Sequence, residues 1–332
     1  MMPINQPNRA DSDLPTRAGP WPLVSVIIPA YNVAPYIGEA IASVLDQNYA
    51  HIEVIVVDDG STDGTLAVVG AYGGQVQVLQ QANAGAAAAR NRGLVAARGE
   101  FIAFLDADDI WLPGKLTAQV GYLLAHPEIG MVTSNFLLWK PGPDGNFGPP
   151  PTPSTTPDDD PIVKEHSGWI YGELLCDCVV CTITVMLRKS VIETVGLFNE
   201  QLRTGEDYEY WLRISRVTQV TKLNRDLACY RIHSQSTTFT PRDINNEHRV
   251  LLSMLAKYGP VGPDGNRVAD ERLADRLYRI CFSHGLIHYA RGDVGIARKA
   301  FREAISHVRS RPKAWIYWVL SLLRRCGIHL KR

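Results

Sequence analysis

Asp106, Asp108 and Asp109 crowd the end of an apolar run, Phe101 to Leu105, in the stretch FIAFLDADDIW. Five apolar or small residues in a row suit a strand buried on both faces of a parallel sheet, a poor place to gather like charges. In an extended backbone alternate side chains share a face, so Asp106 and Asp108 are expected to reach one ligand together. A divalent cation between them, bridged to a phosphate, would relieve the repulsion. One Asp capping a helix beside solvated neighbours would look the same in isolation. The choice rests on what other elements bring to that strand end.

Those elements alternate. Val24 to Ile28 reads as a buried strand stopped by Pro29, and Val33 to Gln47 as a helix with Ile37, Ile41, Val44 and Leu45 on one face. Val54 to Val57 is a second strand, ending in Asp58-Asp59-Gly60, with Ser61-Thr62-Asp63 placed to cap a short helix near Thr65 to Tyr72. Val76 to Leu79 makes a third strand, followed by an Ala-rich helix opened by Gly85. The run before the three carboxylates is the fourth strand, and a helix follows from about Pro113. This order predicts an α/β, doubly wound, mostly parallel sheet. Ligands of such sheets bind beyond the carboxyl ends of the strands. Three of those ends carry candidate groups: Pro29-Ala30-Tyr31-Asn32, Asp58-Asp59 and Asp106-Ala107-Asp108. No G-x-G-x-x-G follows the first strand and no G-x-x-x-x-G-K-[ST] occurs, which weakens dinucleotide-fingerprint and P-loop readings.

The segment VSVIIPAYNVAPYIGEAIASVLDQNYAHIEVIVVDDGSTDGT resembles the opening of the glycosyltransferase family 2 enzymes, and FLDADDIWLPGKL resembles their DxD segment. GEDYEYWLRIS resembles the segment that carries their catalytic base, and YRIHS their last motif. The resemblance runs from about Leu23 to Ser236 and implies a GT-A fold. It implies inverting transfer of a sugar from a nucleotide-sugar, with a UDP-sugar favoured, to an acceptor hydroxyl in glycan or polysaccharide synthesis. By that resemblance Pro29, Ala30, Tyr31, Asn32 and Asp59 hold the nucleobase, Arg90 lies near the nucleotide and Asp106 contacts the nucleoside. Asp108 ligates Mg²⁺ or Mn²⁺ on the diphosphate, Asp109 supports it, and His233 approaches the diphosphate or the metal. Asp207 is the base, with Glu206 beside it at a helix N-terminus whose dipole favours carboxylates. Taken singly, Asp59 also suits a capping Asx residue, Tyr31 a structural tyrosine, Arg90 a surface salt bridge and His233 a structural histidine. A sugar nucleotidyltransferase would need a Gly- and Lys/Arg-rich triphosphate loop soon after the first strand, and PAYNVAPYIGEA has none. A non-catalytic nucleotide-binding scaffold is disfavoured by Asp207 standing with the metal carboxylates.

The remaining chain divides by composition. Residues 1–21 are polar and Pro-rich, without the apolar core of a signal peptide, and read as a disordered arm. The catalytic domain is expected over 22–240, with a nucleotide half at 22–135, a Pro-rich insertion at 139–168 and an acceptor half at 169–240. Cys176, Cys178 and Cys181 lack a clear fourth zinc ligand nearby and read as small core thiols, before a buried strand over TITVMLRKS. Residues 241–332 turn helical; GDVGIARKAFREAI resembles half of a tetratricopeptide hairpin, and a lone hairpin reads as a packing appendage. From Arg298 onward ten Lys or Arg oppose one Glu, and Ala314 to Leu323 is apolar and aromatic. That pattern suits an interfacial helix on an anionic membrane, or a helix packed on the catalytic domain.

Over 332 residues the net charge is zero, which argues against a general nucleic-acid binder. Six cysteines without a framework-like spacing point to a reducing compartment. No run reaches the roughly 20 apolar residues needed to span a bilayer, so the expected location is cytoplasmic, at the inner face of the membrane.

Overall fold

The structure is a computed structural model and describes residues 21–153, 160–233 and 241–325. The expected arm at 1–21 falls outside these residues except for Trp21, as does the basic end from Cys326 to Arg332.

Four strands form the first half of the sheet: β1 (Val24–Ala30), β2 (Ile52–Asp58), β3 (Val76–Gln80) and β4 (Phe101–Phe104). They are mutually parallel in the order β3-β2-β1-β4, as the alternation of elements required. Side chains alternate between two buried layers: Ile27, Ile55, Val57 and Phe104 face one, while Val26, Ile28, Val54 and Val56 face the other. Helices α1 (Ile37–Leu45), α2 (Thr65–Gly70) and α3 (Ala86–Ala96) connect the strands. On α3 small residues permit close approach to the sheet, and a Cβ on Gly93 would lie 2.5 Å from Ile27 Cγ2.

The remainder of the same sheet is β5 (Ile110–Trp111), β6 (Ile129–Trp139), β7 (Met186–Arg188) and β8 (Gln219–Arg231), giving the full order β3-β2-β1-β4-β7-β6-β8-β5. Here β7 runs antiparallel to both β4 and β6, whereas β6 and β8 are parallel. Helices α4 (Lys115–Ala125), α5 (Tyr171–Cys176), α6 (Lys189–Val195) and α7 (Glu206–Ile214) cover it, with Tyr210 and Trp211 fully buried.

Several boundaries differ from the sequence expectation. The strand before the acidic trio stops at Phe104, and Asp106 to Asp109 form a turn in which Asp109 N–H donates to the Asp106 carbonyl at 3.1 Å. The shared-face argument for Asp106 and Asp108 therefore does not apply. The first helix begins at Ile37, because Val33 to Tyr36 close a separate turn on the Val33 carbonyl. The fourth begins at Lys115, after Gly114 in the left-handed region at φ 82°. The buried strand expected over TITVMLRKS is a 3₁₀ turn at Thr182–Thr184 and three strand residues. The short strand expected before Tyr230 is 13 residues long.

Four further helices follow: α8 (Asn246–Tyr258), α9 (Asp270–Arg291), α10 (Val294–His307) and α11 (Pro312–Arg325). Helices α9 and α10 form a tight hairpin, and α8 joins its base to the sheet domain through Val250, Leu251 and Met254 in the core around Trp211. Helix α11 packs on this hairpin through Ala314, and together they form the expected C-terminal helical appendage. Among the described residues no helix is long and apolar enough to cross a membrane.

Candidate active site

The loop after β1 is locked to the loop after β2. Asn32 takes a left-handed conformation at φ 52°; its N–H donates to Ser61 Oγ at 3.0 Å, and its Oδ1 accepts from Thr62 N–H at 2.8 Å. Asp58 and Asp63 take local structural roles, Asp58 accepting from Ser61 N–H and Asp63 from Thr65 N–H. Asp59 is buried and faces the cleft instead. Its Oδ1 accepts from Gln81 Nε2 at 2.8 Å and Ala84 N–H at 2.9 Å, and its Oδ2 from Gly85 N–H at 2.8 Å. These bonds fix the carboxylate before any ligand arrives. Tyr31 is half exposed at the cleft wall, so it is no core tyrosine.

At the end of β4 the acidic trio meets the end of β8. Asp109 Oδ1 accepts from Arg231 N–H at 2.6 Å, and Arg231 Nε donates to the Asp108 carbonyl at 2.8 Å. The guanidinium of Arg231 lies over Trp139 at 3.9 Å and Phe147 at 4.9 Å. His233 Nε2 is 2.8 Å from Asp108 Oδ2. Burial, then the neighbouring charges of Asp108 and Asp106, hold the Asp109 carboxyl well above the usual carboxylate range. Asp109 Oδ2 is buried with no hydrogen-bond partner among the described residues. Carboxylates held together at such a cost are the environment a hard divalent cation fits, and Asp108 and His233 are the groups that could hold one.

The opposite wall begins at α7. Gly205 caps it at φ 73°, a conformation that turns the first helical residues into the cleft. Arg90 on α3, itself buried, donates through Nη1 to Glu206 Oε1 and through Nη2 to Asp106 Oδ1, both at 2.8 Å. Burial alone would lower the pKa of Arg90, but the charges of Asp106, Glu206 and Asp207 outweigh it and raise the value further. Burial lifts the Asp106 and Glu206 carboxyls, with Arg90 opposing. Arg90 therefore couples the loop after β4 to the start of α7, a buried role beyond the surface salt bridge that its type suggested. Asp207 Oδ1 accepts from Tyr208 N–H at 2.7 Å, and its Oδ2 accepts from Thr182 Oγ1 at 3.1 Å.

A cleft of about 820 Å³ is lined by Pro29, Ala30, Tyr31, Asn32, Asp59, Arg90, Asp106, Asp108, Asp109, Glu206, Asp207 and His233. Every site residue named from the sequence thus lies on one cavity. The sequence reading missed Thr182, which orients Asp207, and Gln81, which orients Asp59. Neither has a local pattern to find it by, since each acts across a fold contact. It also misplaced two cysteines. Cys176 is buried as expected, but Cys178 is exposed, Cys181 is half buried, and both line the cleft. They sit after α5, where the chain leaves the core to form one wall of the cleft.

Comparison with known proteins was consistent with this geometry. The Glycosyl transferase family 2 profile matches residues 25–150. The chain is 33% identical over 220 residues to the putative teichuronic acid biosynthesis glycosyltransferase TuaG of Bacillus subtilis (strain 168), covering 65% of this chain and 81% of that protein. It is 33% identical over 219 residues to the Escherichia coli UDP-Glc:alpha-D-GlcNAc-diphosphoundecaprenol beta-1,3-glucosyltransferase WfgD, covering 64% and 79%. Among solved structures, S. aureus TarS in complex with UDP superposes with a TM-score of 0.61 at 20% identity, over 93% of each chain. The mannosyltransferase PcManGT from Pyrobaculum calidifontis, in complex with GDP-Man and Mn²⁺, gives a TM-score of 0.54 at 19% identity, over 92% of this chain and 84% of that one. At these identities the two structures speak for the fold.

Proposed function

Because the chain belongs to glycosyltransferase family 2 and has the GT-A fold, we propose that it is an inverting enzyme of cell-surface glycan synthesis that moves a sugar from a UDP-sugar to the hydroxyl of a lipid-linked saccharide. The observation that carries this reading is the convergence of Asp59, Asp108 and Asp207, from three separate elements, on one cleft. Asp59 keeps lone-pair capacity on Oδ2 to accept from a uracil imide N–H, with its orientation set by Gln81, Ala84 and Gly85. Tyr31 and Pro29 to Asn32 form the wall against which the base lies.

Asp108 and His233 would hold Mg²⁺ or Mn²⁺, with Asp109 and Asp106 adding negative charge around them. When bound, such an ion offsets the charge that gathers on the departing diphosphate. The acceptor hydroxyl gives its proton to Asp207, whose Oδ2 is aimed by Thr182. The freed oxygen forms a bond to the anomeric carbon as the bond from that carbon to the diphosphate breaks on the opposite face. The configuration inverts and UDP leaves. Glu206, tied to Arg90, keeps the first turn of α7 in place for this transfer.

Helix α11 supports contact with an anionic membrane, where lipid-linked acceptors reside. Trp315, Ile316 and Val319 are exposed on its outer side, with Lys313 exposed in its first turn. Nucleotide-sugars screened by thermal shift with Mn²⁺ should single out a UDP-sugar. Transfer to a diphosphoundecaprenol-linked saccharide should then follow, and Asp207→Asn should abolish it with donor affinity intact. Normal turnover in Asp207→Asn would end the base assignment.

A further inference from the structure

Away from the cleft, three helices bring nitrogen and sulfur donors to one point. His248 on α8, Cys281 on α9 and His307 on α10 each present one ligand atom, and these atoms all lie within 4.8 Å of one another. The two Nε2 atoms are 3.3 Å apart. Zinc–nitrogen bonds of about 2.0–2.1 Å meeting at a tetrahedral angle separate two ligand nitrogens by about 3.3 Å. His248 and Cys281 are buried, while His307 is part exposed.

We propose that His248, Cys281 and His307 form a zinc site that fastens the C-terminal helical hairpin to the acceptor side of the catalytic domain. Two imidazoles and a thiolate are a borderline-soft donor set that suits Zn²⁺ and disfavours the Mg²⁺ or Mn²⁺ that the oxygen-rich cleft would take. The fourth position of a tetrahedral ion falls to water. Cys281 gives its proton to water as the sulfur–zinc bond forms, and no redox change is involved. The position links to function through α8. Glu247, next to His248, lines the cleft that also holds Asp207, and it is ion-paired to Arg276 on α9. An ion joining α8, α9 and α10 would hold that wall of the cleft against the hairpin.

The test uses the full chain, stripped with a chelator and titrated with Zn²⁺ in excess Mg²⁺ to occupy oxygen-rich sites. One tightly held zinc per chain is expected, with a rise in Tm. Replacement by Co²⁺ should give tetrahedral d–d bands and a thiolate-to-cobalt charge-transfer absorption. Cys281→Ser should remove the charge-transfer absorption. Both Cys281→Ser and His307→Gln should weaken zinc binding by more than the roughly 10–100-fold lost with an outer-shell partner. Circular dichroism checks that each variant is folded; should Cys281→Ser misfold, the wild-type cobalt spectrum and His307→Gln decide. A wild-type chain without tight zinc, or a cobalt form without sulfur charge transfer, would reduce the group to a histidine pair beside a core thiol. Zinc retained at full affinity in both variants would equally overturn the assignment.

Discussion

Asp108 and Lys115 belong to the same stretch of sequence but act on different properties. Asp108 points into the cleft with His233 at 2.8 Å, so its loss should fall on the chemistry. If it acts as one preorganised electrostatic element, Asp108→Ala should lower kcat a few hundredfold or more, about 3–4 kcal/mol, measured with saturating donor. Lys115 is wholly buried, with Nζ 4.3 Å from the centre of the Trp111 ring and 2.5 Å from Gln119 Oε1. Burial drives its pKa well below 10.5. A depressed folded value makes its contribution complete above 10.5 and progressively lost as pH falls through that folded value. Wild type should therefore gain stability relative to Lys115→Met as pH rises from neutral toward 10.5, read from denaturant midpoints across the range. A pH-independent difference would show that Lys115 stays charged in the fold.

At the scale of elements, α11 is the test case. Its inner side buries Ala314 and Ser321 against the hairpin, whereas Trp315, Ile316 and Val319 face outward. The helix thus packs on the C-terminal hairpin, where the sequence had offered the catalytic domain as its partner, and its outer side is the one that the proposed membrane contact would use. Burying a large aliphatic side chain is worth about 1.5–3 kcal/mol, and each basic residue near an anionic surface adds about 1 kcal/mol. Ile316→Glu should therefore weaken binding to phosphatidylglycerol vesicles by about tenfold or more, with little change in transfer to a water-soluble acceptor. Sedimentation with vesicles measures it, and binding should also fall with added salt. Equal sedimentation of both proteins would retire the membrane role.

For the whole molecule, β4–β7 pairing makes one continuous sheet, and Arg90 adds a buried tie between the elements of its two halves. Its guanidinium ties Asp106 after β4 to Glu206 at the start of α7, and Asn91 beside it exchanges hydrogen bonds with the backbone of Phe198. Arg90→Met leaves two carboxylates facing each other and should destabilise the fold by about 3–5 kcal/mol, visible in the denaturant midpoint. Stability within about 0.5 kcal/mol of wild type would mean that the halves hold together without it. Strand and helix periods by themselves determined the parallel half-sheet and the strand ends that carry Asp59 and Asp106 to Asp109, because burial on two faces writes an apolar run into the chain. The motifs around Asp207 and His233 were legible for a different reason: each is a short contiguous segment that resembles a family motif, while burial pattern singles out neither residue. Tertiary structure alone decided that Thr182 aims Asp207, that Arg90 faces two carboxylates, that Cys178 leaves the core, and that His248, Cys281 and His307 meet. Those are contacts between residues from 16 to 116 positions apart, set by how helices pack, and no local spacing encodes them.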